Sequence, residues 1–200
     1  ASNRFGIVNG ALSIRVSSLM AWGNNTNGQS SIPGGLGNVV QVASGELHVL
    51  TLRADGRVAA WGANTFGQTN VPANLSNVVA VAAGGSHSLA LRSDGSVVGW
   101  GNNASGQRTI PVGLSNVVTL AAGNSHSLAL HADGSVVGWG NNSSGQRTIP
   151  VGLSNVVAIA AGNSHSLAVQ GNGLVVGWGN NNYGQRTIPI GLSNVVALAA

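Results

Sequence analysis

Four histidines recur at intervals of 39 residues, at His48, His87, His126 and His165. Histidine is the commonest general base and metal ligand in proteins, and three of these four are followed directly by serine. A serine nucleophile of the G-x-S-x-G type needs a sharp strand-to-helix turn, which the segments GGSHS and GNSHS do not provide. No acidic residue recurs beside the histidines, because Glu46 occurs in one copy only. We therefore expect each ring nitrogen to tie the start of a strand to neighbouring backbone.

The recurring carboxylates do not suggest catalysis either. Asp55, Asp94 and Asp133 each precede glycine, a pairing typical of hairpin turns. They are 39 residues apart, which does not favour the close carboxylate pair that glycoside hydrolysis requires. The absence of cysteine excludes a disulfide framework and a thiolate metal site. We expect no catalytic residue, no metal site, no cofactor and no enzyme activity.

Tryptophan follows the same interval, at Trp22, Trp61, Trp100, Trp139 and Trp178. Such rings are candidate platforms for sugars. Each one, however, lies beside glycine within an apolar run at a fixed phase of the repeat. We expect the rings to fill the core between repeats, where each would bury roughly 150–250 Å².

One repeat, residues 77–111, is NVVAVAAGGSHSLALRSDGSVVGWGNNASGQRTIP. Its segment VVAVAA is typical of a buried strand, and HSLAL alternates as a strand with two different faces. Asp94-Gly95 predicts a tight hairpin turn, SVVGWG a third strand, and RTIP a short outer strand. No segment has the apolar period of a helix.

Units of about 40 residues with three or four antiparallel strands are typical of β-propeller blades. We predict one all-β propeller domain over residues 1–200, with repeats at about 6–44, 45–83, 84–122, 123–161 and 162–200. Either the chain forms a closed five-bladed ring, with its N- and C-terminal strands sharing one blade, or it is part of a seven-bladed type. An incomplete ring would favour self-association.

The combined pattern G-x-x-H-S-L-A-L, D-G and W-G-x-N-x-x-G-Q resembles the repeat of the regulator of chromosome condensation family. The short period is still more similar to secreted bacterial β-lactamase inhibitor propellers of that superfamily. This resemblance implies a propeller whose loops engage a protein partner, and a secreted or cell-surface location. Relatives of both kinds have seven blades. The nucleotide-exchange members also carry an insertion that is missing here, so exchange activity is not expected.

Charge narrows the choice of partner. The net charge is +4 and charged residues make up only 6% of the chain. Such a weak field does not favour nucleic acid, although the calculated pI is about 11.5. No apolar run of about 18 residues is present, so no membrane insertion is expected.

The repeats differ mainly in the loop after the third strand, just before its glycine. Phe66 and Tyr183 occupy variable positions there, where an exposed aromatic ring makes a good binding anchor; packing on a neighbouring loop is the alternative. Asn27, Ser105 and Ser144 would add hydrogen bonds. Three consecutive repeats carry arginine after the conserved glutamine, at Arg108, Arg147 and Arg186, which would steer an anionic partner.

The sequence therefore predicts a non-enzymatic binding module that uses its loop-bearing face, most simply for another protein. A carbohydrate-binding propeller is one alternative, with equivalent pockets lined by the recurring Asn, Gln and His. The other is a structural repeat segment of a larger cell-surface protein.

Overall fold

A computed structural model of the chain describes residues 19–200 and the backbone of residues 6–8 and 11–13. These residues contain β-strands and no helix. The fourteen strands are β1 (Gly6–Val8), β2 (Ala11–Ser13), β3 (Val39–Ser44), β4 (His48–Arg53), β5 (Val58–Gly62), β6 (Val78–Ala83), β7 (His87–Arg92), β8 (Val97–Gly101), β9 (Val117–Ala122), β10 (His126–His131), β11 (Val136–Gly140), β12 (Val156–Ala161), β13 (His165–Gln170) and β14 (Val175–Gly179).

Four antiparallel sheets of three strands repeat along the described chain, each in the order of the sequence. We number these blades 1 to 4, over residues 39–62, 78–101, 117–140 and 156–179. The β-propeller prediction is confirmed. The count of five blades is wrong, because the described residues form four such blades. Of the two arrangements considered, the closed five-bladed ring is therefore not formed by the described residues.

The segments expected to complete a fifth blade are not joined to one another in the described residues. Strands β1 and β2 pair only with each other. Residues 19–23, at the end of the predicted third strand, form no strand, and residues 14–18 lie outside the described part of the chain. Residues 195–200 repeat the first-strand sequence but pair with no strand of the described chain.

The predicted outer strand RTIP does not form in any described blade. In blade 2 the amide of Arg108 donates to Asn103 Oδ1 at 3.1 Å, and the amide of Thr109 donates to the Gly106 carbonyl at 3.0 Å. These amides are used by the preceding loop and not by a ladder. Pro111 offers no amide at all, so the segment stays irregular.

Apolar side chains fill the space between consecutive blades. Leu50, Leu89 and Leu128 are fully buried. The cluster around Leu50 continues into blade 2 through Val81 and Trp100. A propeller core of this kind is a series of nearest-neighbour interfaces.

The tryptophan prediction is confirmed for Trp61, Trp100, Trp139 and Trp178, which are buried. It is wrong for Trp22, whose side chain is 86% exposed.

Candidate functional site

The recurring histidines connect neighbouring blades. His87 Nε2 in blade 2 lies 2.9 Å from Ser127 Oγ in blade 3. Ser127 Oγ in turn donates to the backbone carbonyl of Gln107 at 2.8 Å, which also accepts from Trp139 Nε1 at 2.8 Å. His48 bonds to Ser88 and His126 to Ser166 at the other two blade interfaces, and each serine donates to a glutamine carbonyl. The tryptophan bond is not repeated beside Ser166, because Trp178 Nε1 has no partner among the described residues.

This geometry assigns the histidine tautomer. The serine hydroxyl has a single proton, and that proton is donated to the glutamine carbonyl. Ser127 Oγ therefore accepts from His87, which must carry its proton on Nε2. The Nδ1 atoms of His48, His87 and His126 are buried without a hydrogen-bond partner.

Burial favours the neutral form of these rings. Loss of solvation lowers the pKa of His48 to about 4. The pKa of His126 falls to about 4 and that of His87 to about 3, mainly through loss of solvation and in smaller part through the neighbouring histidines. The pKa of His165 is also lowered by burial.

The histidines were expected to hold neighbouring backbone. The structure corrects this for His48, His87 and His126, because each bonds to a serine side chain, which in turn bonds to backbone. Ser127 is fully buried, and no acidic group orients the ring from Nδ1. The pair is thus built as a structural link, without the third group of a catalytic triad. Within the described residues no cluster of His, Asp and Glu has the arrangement of a metal site.

Sequence reasoning missed the serine, although a signal was present. Each serine follows its histidine partner by 40 residues, which means one repeat plus one position. In blade 1 this position holds Val49, and the position 40 residues earlier holds Asn9. Histidine and serine are therefore present together or replaced together at these positions.

Two kinds of loop open at the same end of every blade, as predicted. In blade 2 the first-to-second strand turn precedes His87, which pairs with Gly101 at the end of the third strand. The amide of Asn102 donates to the Ser86 carbonyl at 2.9 Å, which ties the base of the long loop to that turn. The turn at Asp94 lies at the opposite end. We call the end with the long loops the loop face.

Asparagine and glutamine hold each long loop in one shape. In blade 2, Asn102 Oδ1 accepts from the amide of Ala104 at 2.8 Å. Gln107 Oε1 accepts from the amide of Ser105 at 2.9 Å, and Gln107 is only 2% exposed. The turn also requires a positive φ of 79° at Gly106, which glycine adopts without strain.

We call the asparagine, the glutamine and the loop backbone that they hold the loop frame. The residue at the loop tip bonds to this loop frame through its backbone alone. The amides of five equivalent residues donate to the conserved glutamine at 2.8–2.9 Å, namely Asn27, Phe66, Ser105, Ser144 and Tyr183. The side chains are therefore free to vary without loss of the frame. This explains why the repeats differ at this position.

The predicted anchors are exposed. Tyr183 is 93% exposed and Phe66 is 54% exposed. Asn27 and Ser105 are exposed too, and Ser144 is half-buried. Phe66 and Tyr183 share the loop face but belong to blades 1 and 4, so they are not neighbours in the blade order.

The three arginines lie elsewhere. Arg108, Arg147 and Arg186 are exposed, and the backbone of Arg108 passes over Gly99 in the third strand. A Cβ on Gly99 would stand 2.8 Å from the Arg108 carbonyl oxygen. In blade 1 the equivalent pair is Ala60 and Thr69. The arginines therefore form a row on the outer edge of the blades and not at the loop tips.

A cavity of about 280 Å³ opens on the loop face between the first turns of the four blades. Glycine backbone and the side chains of Glu46, Asn124 and Asn163 line it. This cavity could not be predicted from the sequence, because its lining comes from four turns that are distant in sequence and from Ala200. The equivalent glycan pockets considered above are not formed by the recurring His and Gln of blades 1 to 3, which are buried and largely bonded within the fold. No helix of the described chain has the length and apolarity to cross a membrane.

A family model matches each of the four described blades. The regulator of chromosome condensation (RCC1) repeat matches residues 39–68, 78–107, 117–146 and 156–185, more than half of the chain. Each match begins at the first strand of a blade and ends at the glutamine that holds the long loop. No curated protein matches the chain.

Solved structures show the same architecture. Yeast RCC1 (Prp20), in its structure with Kap60 bound, is 27% identical with a TM-score of 0.64, over 72% of this chain and 44% of that chain. Prp20p from Saccharomyces cerevisiae, described together with its binding to Gsp1p and histones, is 28% identical with a TM-score of 0.62, over 71% and 45%. The ectodomain of the Physcomitrella patens receptor kinase CR4 reaches a TM-score of 0.70 at 22% identity, over 89% and 50%, and shows the fold alone. The chain spans half of these structures or less.

Proposed function

The chain belongs to the RCC1 repeat family, and from that premise we propose that it is a non-enzymatic binding module whose loop face docks another protein. RCC1-type propellers form a family of binding and exchange factors. One yeast RCC1 structure has Kap60 bound, and the other is described together with its binding to Gsp1p and histones. The observation that carries the proposal is that each long loop combines a fixed backbone with a variable tip. The glutamine of the loop accepts from the tip amide and fixes the backbone, while the exposed tip side chain is free to change.

Rigid display is the proposed mechanism. A loop already held by its own hydrogen bonds loses little conformational entropy when a partner binds. Phe66 and Tyr183 supply apolar area, and Asn27 and Ser105 supply hydrogen bonds from the same tip position. The arginine row on the outer edge would steer an anionic partner during approach rather than enter the contact.

A secreted or cell-surface location and an inhibitor-like role belong to the same proposal, on the strength of the 39-residue repeat alone. Glycan binding has less support, since the recurring His and Gln side chains of blades 1 to 3 are buried.

The test compares partner capture by three forms of the full chain. These are the wild type, the double variant Phe66→Ala/Tyr183→Ala, and the control Val112→Ala/Val151→Ala, whose side chains are fully exposed outside the loop tips. A partner identified with the wild type is purified and titrated calorimetrically. We expect one-to-one binding, weakened about tenfold or more by the loop variant and unchanged by the control. Equal affinity for all three forms would refute the proposal.

A further inference from the structure

The outer edge of blades 2 to 4 carries positive charge that no acidic group offsets. Its exposed arginines form the arginine row, one on each blade, at Arg108, Arg147 and Arg186. The carboxylate side chains of the chain lie elsewhere, since three occupy the Asp-Gly turns at the opposite end and Glu46 lines the cavity between the first turns. Within the described residues the one ion pair joins Arg53 to Asp55. The arginine row is therefore a separate patch of three uncompensated charges.

The exposure of these arginines does not depend on a missing neighbour. Ile110, two residues after Arg108, packs against the cluster that contains Trp139 of blade 3. Ile149 packs in the same way against the cluster that contains Trp178 of blade 4. The first two members of the row are therefore exposed at interfaces where both blades are present.

Each arginine of the row is accompanied by a glycine in the third strand of its blade. A Cβ on that glycine would stand 2.8 Å from an atom of the arginine, so the two segments approach this closely only because the residue is glycine. Glycine weakens the interior of a strand, yet the repeats hold it wherever they hold arginine. Alanine takes its place where serine or threonine replaces arginine, and the five pairs are Ala21 with Ser30, Ala60 with Thr69, Gly99 with Arg108, Gly138 with Arg147 and Gly177 with Arg186. The glycine therefore serves to seat the arginine on the blade.

The backbone of each arginine is fixed from the loop side as well. Its amide donates to the side-chain oxygen of the asparagine five residues earlier, at 3.0–3.1 Å in the three blades. The next residue is an exposed threonine, whose hydroxyl oxygen accepts from the same asparagine at 2.9–3.3 Å. A hydroxyl oxygen has two lone pairs, so one remains for a ligand. Each blade thus presents guanidinium donors beside a hydroxyl acceptor on a fixed backbone.

These groups fit an acidic polysaccharide. A guanidinium group pairs with carboxylate or sulfate, and the threonine oxygen accepts from a hydroxyl, which every sugar carries. The blades pack roughly 10 Å apart, so the row suits a chain whose charges are separated by one or two sugar units. Duplex DNA, with one charge per about 1.7 Å of helix axis, fits this spacing less well. The outer segments RTIPVG and RTIPIG also hold no aromatic residue on which a base could stack.

We propose that the arginine row and its threonines bind an acidic polysaccharide that runs along the outer edge of blades 2 to 4. The carboxylates or sulfates of the polysaccharide accept from the guanidinium groups, and its hydroxyls donate to Thr109, Thr148 and Thr187. This site is separate from the loop tips, so it adds a second ligand to the proposed protein partner. It is also separate from the buried His and Gln side chains.

The probes are fluorescent oligosaccharides of equal length, namely a sulfated one from heparin, a carboxylated one from polygalacturonate and a neutral one from dextran, with a labelled DNA duplex for comparison. Fluorescence anisotropy measures their binding to the full chain at about 50 and about 200 mM NaCl. The test variant Arg108→Thr/Arg147→Thr/Arg186→Thr introduces the residue that blade 1 holds at Thr69. The matched control Arg53→Gln/Arg57→Ser/Arg92→Gln also removes three charges, at the opposite end, and uses the residues of the equivalent Gln170 and Ser96. Circular dichroism confirms that both variants are folded.

The wild type should bind at least one of the two acidic oligosaccharides, more weakly at the higher salt concentration, and should not bind dextran. The test variant should bind about tenfold or more weakly, because three charge-assisted contacts are lost. The control should keep the affinity of the wild type. The proposal is overturned if neither acidic oligosaccharide binds, or if the DNA duplex binds more tightly than both. It is overturned as well if the two variants lose affinity equally, since binding would then follow net charge alone.

Discussion

His87 Nε2 and Ser127 Oγ lie 2.9 Å apart across the interface between blades 2 and 3, and both side chains are fully buried. The two residues are 40 positions apart, so neither belongs to the other's repeat. The bond therefore forms only when the two blades are packed against each other. Such buried positions hold the fold together, whereas the exposed positions at the loop tips vary from repeat to repeat.

Breaking this link should destabilise the fold. Ser127→Ala leaves the His87 proton unsatisfied and removes a donor to the Gln107 carbonyl. We expect a loss of about 1–3 kcal/mol in the free energy of unfolding, measured by denaturant titration. The control is Ser143→Ala, which restores the residue found at the equivalent Ala104. A loss as small as that of the control would show that the link contributes nothing.

Acid should destabilise the protein through its buried histidines. His48, His87 and His126 have pKa values of about 4, 3 and 4 in the fold, against 6.5 when unfolded. The unfolded chain therefore binds more protons below pH 6.5, and stability falls as the pH drops from about 6.5 towards 4. Each unit of difference contributes about 1.4 kcal/mol per histidine. Unfolding curves at pH 8, 7, 6, 5 and 4.5 should show a plateau down to pH 7 and a decline below it. A flat profile would contradict neutral buried histidines.

Gly99 in the third strand of blade 2 is expected to be required, because the backbone of Arg108 passes close to it. Alanine normally stabilises a strand interior relative to glycine by roughly 0.5–1 kcal/mol. Gly99→Ala should instead destabilise by about 1–3 kcal/mol, because its Cβ meets the Arg108 carbonyl oxygen at 2.8 Å. The reverse change in blade 1, Ala60→Gly, should cost only the ordinary glycine penalty. Thermal unfolding of both variants measures these effects. If Gly99→Ala raised the melting temperature, the close contact between Gly99 and the Arg108 backbone would be refuted.

The loop tip and the loop frame should respond differently to substitution. Phe66→Ala and Tyr183→Ala should change the free energy of unfolding by less than about 0.5 kcal/mol, because both rings are exposed. Gln107→Ala should cost about 1–2 kcal/mol, since it removes the buried acceptor of the Ser105 amide. If both classes of variant had equal effects on stability, the separation of tip from frame would be wrong.

The repeat spacing predicted most of the fold. The strand order within each blade, the Asp-Gly turns of blades 1 to 3 and the burial of four tryptophans follow from local pattern, and the structure confirms them. Local pattern fails for Trp22. It shares the tripeptide Ala-Trp-Gly with Trp61, yet it is 86% exposed. Burial of such a ring depends on the neighbouring blade and not on the ring's own repeat.

The site was predicted less completely for a related reason. The variable tips Phe66 and Tyr183 could be read from differences between repeats, because those differences are local. The partner of His87 could not be read from its own repeat, since it lies one blade further on. The position of the arginines relative to the blade could not be read from the sequence either, because nothing local shows that Arg108 passes over Gly99.

Site-specific photocrosslinking shows whether the loop face is the protein-binding surface. A photoreactive phenylalanine analogue is placed in turn at Phe66, Tyr183, Val112 and Val151, all of which are exposed. If the loop face binds the partner, positions 66 and 183 give discrete crosslinked products with it, and positions 112 and 151 give none. Crosslinks from positions 112 and 151 alone would place the partner elsewhere and refute the proposed loop-face site.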